Sequence, residues 1–162
     1  MRLAAVVLAA VVGACGDDGY DPNGCLPEGD ADVEGMVRNQ PIGPFASAQI
    51  RPTGIATGPQ YAIVLDENAT ACGEVSTTGK RLVLLFCEMP INVPYTVASQ
   101  LTFVCPTNDV LAIVETAAGE DFAVATSGTI DLFHLGSCMN GGYEIDFGID
   151  RLTGAFDAVV CE

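Results

Sequence analysis

The feature that most constrains the fold is a regular succession of short strand-like segments separated by turn residues. These segments follow one another from residue 33 to the C terminus, with clusters such as RPTG (51–54) and GP (58–59) between them. No segment has a long helical period. The pattern predicts an all-β fold, either an antiparallel β-sandwich or a flattened barrel. The predicted strands are 33–38, 46–51, 61–65, 81–87, 95–99, 110–116, 122–125, 129–135, 142–147 and 154–161.

One segment, LVLLF (82–86), is apolar at every position. A strand with one face in water alternates apolar and polar residues, whereas a continuous apolar run fits a strand that is covered on both faces. We therefore expect residues 82–86 to form a central strand with protein on both sides.

The last third of the chain has the clearest alternation of apolar and polar residues, at 143–147 and 152–160. Paired as a hairpin, these segments place their large apolar side chains on one face. A turn at Ile149-Asp150 puts Cys138 opposite Cys161. A register shifted by two residues keeps the same faces and separates the cysteines, and the poor turn propensity of Ile-Asp keeps this alternative open.

The first 15 residues have the order of a secretory signal. A basic residue, Arg2, is followed by an unbroken apolar run at 3–12 and by small residues before Cys15. The run is too short for a transmembrane helix, which needs about 20 apolar residues. The leader therefore predicts export.

Val12-Gly13-Ala14-Cys15 resembles the lipobox of bacterial lipoproteins. The resemblance implies diacylglycerol on the sulfur of Cys15, cleavage before Cys15 and acylation of the new amino terminus, which together give stable anchoring in a membrane. Because Gly16 is not Asp, it also implies the outer membrane as the destination. The alternative is an ordinary signal peptide cleaved after Ala14, with Cys15 left to form a disulfide.

The number of cysteines bears on that alternative. The chain has 7 cysteines, and an odd number leaves one without an intramolecular partner. If Cys15 carries lipid, an even set remains, and an oxidising compartment favours disulfides. The sequence has no C-x-x-C motif, which argues against a zinc site or a redox pair. The disulfide candidates are Cys25, Cys72, Cys87, Cys105, Cys138 and Cys161.

The composition divides the chain and limits its partners. We expect a signal peptide at 1–14, an acidic Gly/Pro/Asp tether at 15–32 and a single β domain at 33–162. With 21 acidic and 6 basic residues, the formal charge is −15, which repels nucleic acid. The expected partners are membrane lipid, through Cys15, and an unidentified protein or glycan of the bacterial cell envelope.

The sequence contains no recognisable catalytic constellation. It has no G-x-S-x-G motif, and its one histidine, His134, alternates with apolar residues as a structural histidine would. Paired carboxylates for a hydrolase could come from Glu144, Asp146 and Asp157, but these occupy outward strand positions. We therefore expect a non-enzymatic structural or binding module without a cofactor, and an envelope hydrolase is the least favoured hypothesis.

A weak calcium signature lies near the start of the β region. Asp30, Asp32 and Glu34 alternate before Gly35, as ligands do in a calcium loop, but the twelfth position is Pro41 and not the closing Glu. The acidic run at 17–24 is similar and also incomplete, and a solvated acidic tether is the favoured interpretation of both. The second hypothesis is therefore a module that binds calcium or a basic protein, for example an inhibitor of a cationic envelope enzyme.

Three C-terminal segments resemble short predicted lipoproteins of myxobacteria and related Gram-negative bacteria. They are ATSGTIDL (125–132), GGYEIDF (141–147) and LTGAFDA (152–158), followed by Cys161. The group has no activity to transfer. Its layout implies a disulfide between Cys72 and Cys161, which competes with the pairing offered by the first hairpin register.

Overall fold

The computed structural model describes residues 29–74, 76–116, 120–135 and 138–161, and twelve β-strands lie within these ranges. None of the described residues belongs to a helix with the length and apolar character needed to cross a membrane. The strands are β1 (Asp30–Ala31), β2 (Glu34–Val37), β3 (Gln40–Pro41), β4 (Ser47–Pro52), β5 (Tyr61–Asp66), β6 (Lys80–Phe86), β7 (Pro94–Ala98), β8 (Val110–Thr116), β9 (Asp121–Val124), β10 (Ser127–Leu135), β11 (Cys138–Phe147) and β12 (Asp150–Val160).

Eight of these strands close into a barrel. Hydrogen-bonded neighbours follow one another in the order β11, β10, β7, β8, β6, β5, β4 and β12, and β12 pairs in turn with β11. The β7–β8 and β4–β12 pairs are parallel, and the other pairs in the barrel are antiparallel. The all-β prediction is confirmed, and the closed sheet corresponds to the barrel alternative and not to a two-sheet sandwich.

The strand that closes the barrel is β12, which has 11 residues. One edge of β12 pairs with β11 along 138–147. Its other edge is shared by three segments: β2 at 152–153, β1 at 156–157 and β4 at 159–160. The remaining short strands are β9, which pairs with β8, and β3, which pairs with β2. The sequence left the choice between sandwich and barrel open because the alternation of apolar and polar residues within a strand is the same in both folds.

Apolar side chains from all eight barrel strands fill the interior. The filling is tight at Gly141, where a Cβ atom would lie 2.5 Å from Cζ of Phe156 and 2.8 Å from Cδ2 of Leu132. Eight strands enclose a space just wide enough for such a core. The largest fully buried side chains are those of Phe86, Ile50, Ile63, Leu65, Leu82, Leu84, Ile130, Leu132, Met139, Ile145, Leu152 and Val37.

The apolar strand β6 has protein on both faces, as predicted. Leu82 and Leu84 belong to the barrel core. Between them, Val83 points to the other face and packs with Ala62 and Val64 in a second buried cluster. The apolar run at 82–86 is therefore continuous because both faces of β6 are covered by protein.

The β11–β12 hairpin adopts the shifted register. Phe147 pairs with Asp150, so the two-residue turn is Gly148-Ile149 and not Ile149-Asp150. Gly148 has φ of 76°, a conformation that glycine adopts without steric cost. The first register was thus wrong by two residues, while the shifted register and the predicted apolar face are confirmed.

The folded body includes residues that the sequence placed in the tether. Asp30 and Ala31 already pair with β12. The backbone N–H of Asp32 donates to the carbonyl oxygen of Ala155 at 2.8 Å. Hydrogen bonding to the barrel strand β12 therefore begins before Val33.

Candidate functional site

The C-terminal cysteine is bonded to the loop between β5 and β6. Cys72 forms a disulfide with Cys161, and their Cα atoms are 5.4 Å apart. This is the pairing that the resemblance to the short lipoproteins implied. The Cys138–Cys161 pairing does not form, because the hairpin register places Cys138 opposite Val159.

A second disulfide joins Cys87 to Cys105, with Cα atoms 5.5 Å apart. Cys138 is disulfide-bonded as well. The lipidation candidate Cys15 and the disulfide candidate Cys25 lie outside the described residues.

The calcium candidates lie in and beside the short strands β1 and β2, which pair with β12. Asp30, Asp32 and Glu34 are all exposed, with Asp30 opposite Asp157 and Glu34 opposite Thr153 along β12. Within the described ranges, no group of three or more His, Cys, Asp or Glu side chains could hold a metal ion. The alternation seen in the sequence therefore does not bring these three carboxylates around one point.

Two of the carboxylates considered for hydrolysis share one cation. Arg151 forms ion pairs with Glu144 and with Asp146, the latter at 2.7 Å. The hydroxyl of Ser127 also donates to Asp146, at 2.9 Å. Hydrogen bonds from Arg151 and then from Ser127 hold the pKa of Asp146 below its ordinary value. Asp146 therefore stays ionised, which does not suit a general acid.

The remaining candidates for chemistry lie apart from that pair. Asp157 accepts a hydrogen bond from the side-chain amide of Asn140. His134 lies in β10, opposite Met139 of β11. The structure therefore does not place the three predicted carboxylates in one site.

One end of the barrel opens into two apolar hollows. This end, which we call the mouth, is where β4, β6 and β12 end and where β5 and β7 begin. The first hollow has a volume of about 500 Å³ and is lined by Met89, Pro90, Ile91, Asn92 and Met139. The second has a volume of about 330 Å³ and is lined by Ile50, Arg51, Pro52, Tyr61, Met89, Val160 and Cys161. Because Met89 lines both, the hollows adjoin.

The hollows extend to the barrel core. Met139 borders the first and Ile50 borders the second, and both side chains are almost completely buried. Met89 between them is only partly buried and packs against the core. The flexible thioether of methionine adapts to cavities of irregular shape. The mouth thus has a fixed apolar floor and an adaptable side chain at its centre.

The loop that carries Met89 is fixed on both sides. Cys87, at its start, is bonded to Cys105. Near its end, the backbone N–H of Ile91 donates to the hydroxyl of Tyr95 at 3.0 Å. The Tyr95 ring in turn meets Phe86 edge-on, with centroids 5.1 Å apart. The hollows are therefore supported by ordered contacts.

The lining of the mouth suits binding better than chemistry. Its volumes fall in the range of small-molecule sites, which are often found in barrel mouths and are mainly apolar. The one charged group among the described lining residues is Arg51, which is half-buried. Burial and then the charge of Arg81 lower the pKa of Arg51. A nucleophile with an adjacent base does not occur among these residues.

The sequence contained an indication of the mouth that the prediction of strands did not take into account. Met89, Pro90 and Ile91 are apolar residues in a segment that reads as a turn between two strands. Turns are ordinarily polar, so apolar residues there indicate a surface with another purpose. The sequence could not show that these residues lie beside Met139, because Met139 is distant in the chain and only the fold brings them together.

A separate groove lies on the outer face, beside the loop between β5 and β6. This loop is held to β4 because the side-chain amide of Gln49 donates to the carbonyl oxygens of Thr70 and Ala71, at 2.6 and 3.0 Å. Near the groove, Arg81 is paired with Glu115 at 2.5 Å. These polar groups serve contacts within the protein, so the mouth is the better candidate for a ligand.

The fold and the mouth define a disulfide-bonded, eight-stranded barrel with an apolar opening at one end. No protein-family model, curated protein or solved structure matches the chain. Its function therefore has to be inferred from the geometry of the mouth.

Proposed function

We propose that the chain is a lipid-anchored protein of the bacterial cell envelope whose barrel binds a small apolar ligand and catalyses no reaction. The observation that carries the binding proposal is the pair of adjoining apolar hollows that share Met89. The ligand would lie between the β6–β7 loop and the buried side chains of Ile50 and Met139.

The lipid anchor is supported by the sequence Val12-Gly13-Ala14-Cys15 and by the cysteine count. All five cysteines among the described residues are disulfide-bonded, and four of them bond one another. If the fifth, Cys138, has a partner within the chain, that partner is Cys15 or Cys25, and the other of these two has no cysteine left to bond. A lipobox at Cys15 gives that cysteine a function that requires no disulfide partner.

The expected affinity follows from the apolar surface that a ligand would bury. Each buried CH₂ group contributes roughly 0.8 kcal/mol, so an eight-carbon chain gains about 6 kcal/mol before the entropic cost of binding. After that cost, the net affinity for such a short chain is expected to be millimolar or weaker. A longer or branched ligand would bind more tightly, up to the volume of the hollows.

Methyl groups of methionine provide a direct test. Besides Met1, the chain has three methionines: Met89 and Met139 in the mouth, and Met36 in β2. We would label the methionine methyl groups with ¹³C and titrate the full chain in nanodiscs with 1-octanol. Binding in the mouth should shift the Met89 and Met139 signals in a saturable way. Met36 should not shift, since it is exposed and lines neither hollow.

A substitution in the mouth sharpens the test. Met89→Gln keeps the length of the side chain and places a polar amide, which must lose its water, against the alkyl chain of the ligand, so it should weaken octanol binding about tenfold. The matched control, Met36→Gln, should leave binding unchanged. Equal shifts at all three methionines, or equal affinity for both variants, would contradict a binding site in the mouth.

A further inference from the structure

Exposed apolar side chains surround the mouth. Ile55 lies on the β4–β5 loop and is 49% exposed, while Ile91 and Val93 on the β6–β7 loop are 61% and 37% exposed. Val104 is 71% exposed and precedes Cys105, which is bonded to the same β6–β7 loop through Cys87. We call Ile55, Ile91, Val93 and Val104 the rim. Large apolar side chains grouped in this way indicate a surface that meets another apolar phase.

The rim is almost free of charge, although the chain has a formal charge of −15. Residues 53–60 contain no charged side chain, and residues 87–93 contain only Glu88. At the opposite end, the β11–β12 turn is flanked by Asp146, Asp150 and Arg151. Apart from Arg51 in the lining and Glu88 on the β6–β7 loop, these charges thus lie at the end opposite the mouth, which favours entry of the rim into an apolar environment.

The direction of the first strand connects the rim to the anchor. Strand β1 is antiparallel to β12, and β12 ends at the mouth. The chain therefore enters the described barrel from the mouth side. Only 13 residues lie between Cys15 and Gly29, and the 14 steps from one to the other reach at most about 50 Å.

We propose that the rim rests in the interfacial layer of the membrane that holds the Cys15 anchor, so that the mouth opens toward the lipid. This inference rests on the proposed lipid anchor. A bilayer fits the rim better than a second copy of the chain does, because the anchor holds the mouth side of the barrel near the membrane. An apolar ligand could then pass between the lipid and the hollows without crossing water.

Tryptophan fluorescence can test the orientation because the chain has no tryptophan. We would prepare Ile91→Trp in the rim and Ile149→Trp at the opposite turn, where Ile149 is fully exposed. Each variant would be used as the full lipid-modified chain, with its acylation confirmed by mass. It would be reconstituted in phosphatidylcholine vesicles with brominated acyl chains. Ile91→Trp should show blue-shifted emission and several-fold more quenching by bromine than Ile149→Trp, which should keep the emission of a tryptophan in water.

The outcomes separate this inference from the proposed function. Equal quenching of the two variants, or none, in protein of acylated mass would overturn the orientation and leave the anchor standing. A blue shift without quenching, together with a sedimenting species of twice the mass, would assign the rim to a second copy of the chain. An unacylated mass for the unsubstituted protein would overturn the anchor and, with it, the orientation.

Discussion

The ring of Tyr143 lies across from Gly154 on the neighbouring strand and fills the space that a side chain at residue 154 would need. A Cβ atom there would lie 2.8 Å from Cζ of Tyr143 and 2.1 Å from the carbonyl oxygen of Asp32. The same carbonyl accepts a hydrogen bond from the Tyr143 hydroxyl at 2.9 Å. One glycine therefore lets β1, β11 and β12 meet.

Gly154→Ala should destabilise the protein by about 2–3 kcal/mol, because the added methyl group must displace either the Tyr143 ring or the backbone at Asp32. Chemical denaturation measures this loss. Gly142→Ala is the matched control, since a Cβ atom there meets no atom closer than 3.8 Å. A similar stability for both variants would show that the structure around Gly154 adjusts to the added methyl group without the expected loss.

The hydroxyl of Tyr143 should make stability depend on pH in alkaline solution. Burial and then the carboxylate of Asp32 raise the pKa of Tyr143 from its ordinary value of 10.0. The unfolded chain therefore loses this proton first, so the free energy of unfolding falls as pH rises above about 10. The expected slope is about 1.4 kcal/mol per pH unit.

Tyr143→Phe removes both the ionisation and the bond to Asp32. It should cost about 1 kcal/mol at neutral pH and should flatten the alkaline decline. Denaturation curves at several pH values between 9 and 11.5 would check both effects. A decline of the same slope in the variant would assign it to other groups.

The two disulfides with described partners should differ in their contribution to stability. Cys72–Cys161 spans 89 residues and Cys87–Cys105 spans 18. Because a longer loop loses more entropy in the unfolded state when it is closed, replacing the first pair by serines should cost roughly 1 kcal/mol more than replacing the second. Denaturation without reductant measures both variants, and the reverse order would argue against the entropic explanation.

Glu115 should matter because it pairs with a buried cation. The side chains of Arg81 and Glu115 are only 8% and 20% exposed, and Nη1 of Arg81 has no hydrogen-bond partner in the described structure. Glu115→Gln should therefore cost about 3 kcal/mol, because it leaves the guanidinium charge without its counter-ion. The double variant Arg81→Met and Glu115→Leu should recover most of the lost stability.

An exposed pair provides the control for that experiment. Arg151 and Glu144 are both more than half exposed, so Glu144→Gln should change stability little. Thermal or chemical denaturation of the two glutamine variants gives the comparison. Equal losses would mean that burial does not set the contribution of the Arg81–Glu115 pair.

Local patterns along the chain were sufficient to predict most of the strands. Each predicted strand overlaps an observed one, and the range 110–116 has the predicted bounds. The two strands without a prediction are β1 and β3, with two residues each. Such short segments show no alternation, and they exist because β12 and β2 offer them a partner.

What the sequence could not show depends on contacts between distant residues. The choice of a barrel over a sandwich rests on β12 pairing with both β4 and β11. The mouth likewise joins Met89 to Met139 and to Val160 at the end of β12. The choice of hairpin register, in contrast, was local: it depended on whether Gly148 or Ile149 occupied the first position of the turn.

The position of β12 in the chain also sets the order of events during synthesis. Residues 150–160 supply partners to β1, β2, β4 and β11, so the sheet keeps two open edges until these residues have emerged. A chain whose C-terminal residues are still being synthesised therefore cannot close its barrel. The same delay makes the interval just before closure the time of greatest exposure to aggregation, because the edges of β4 and β11 are then available to other chains.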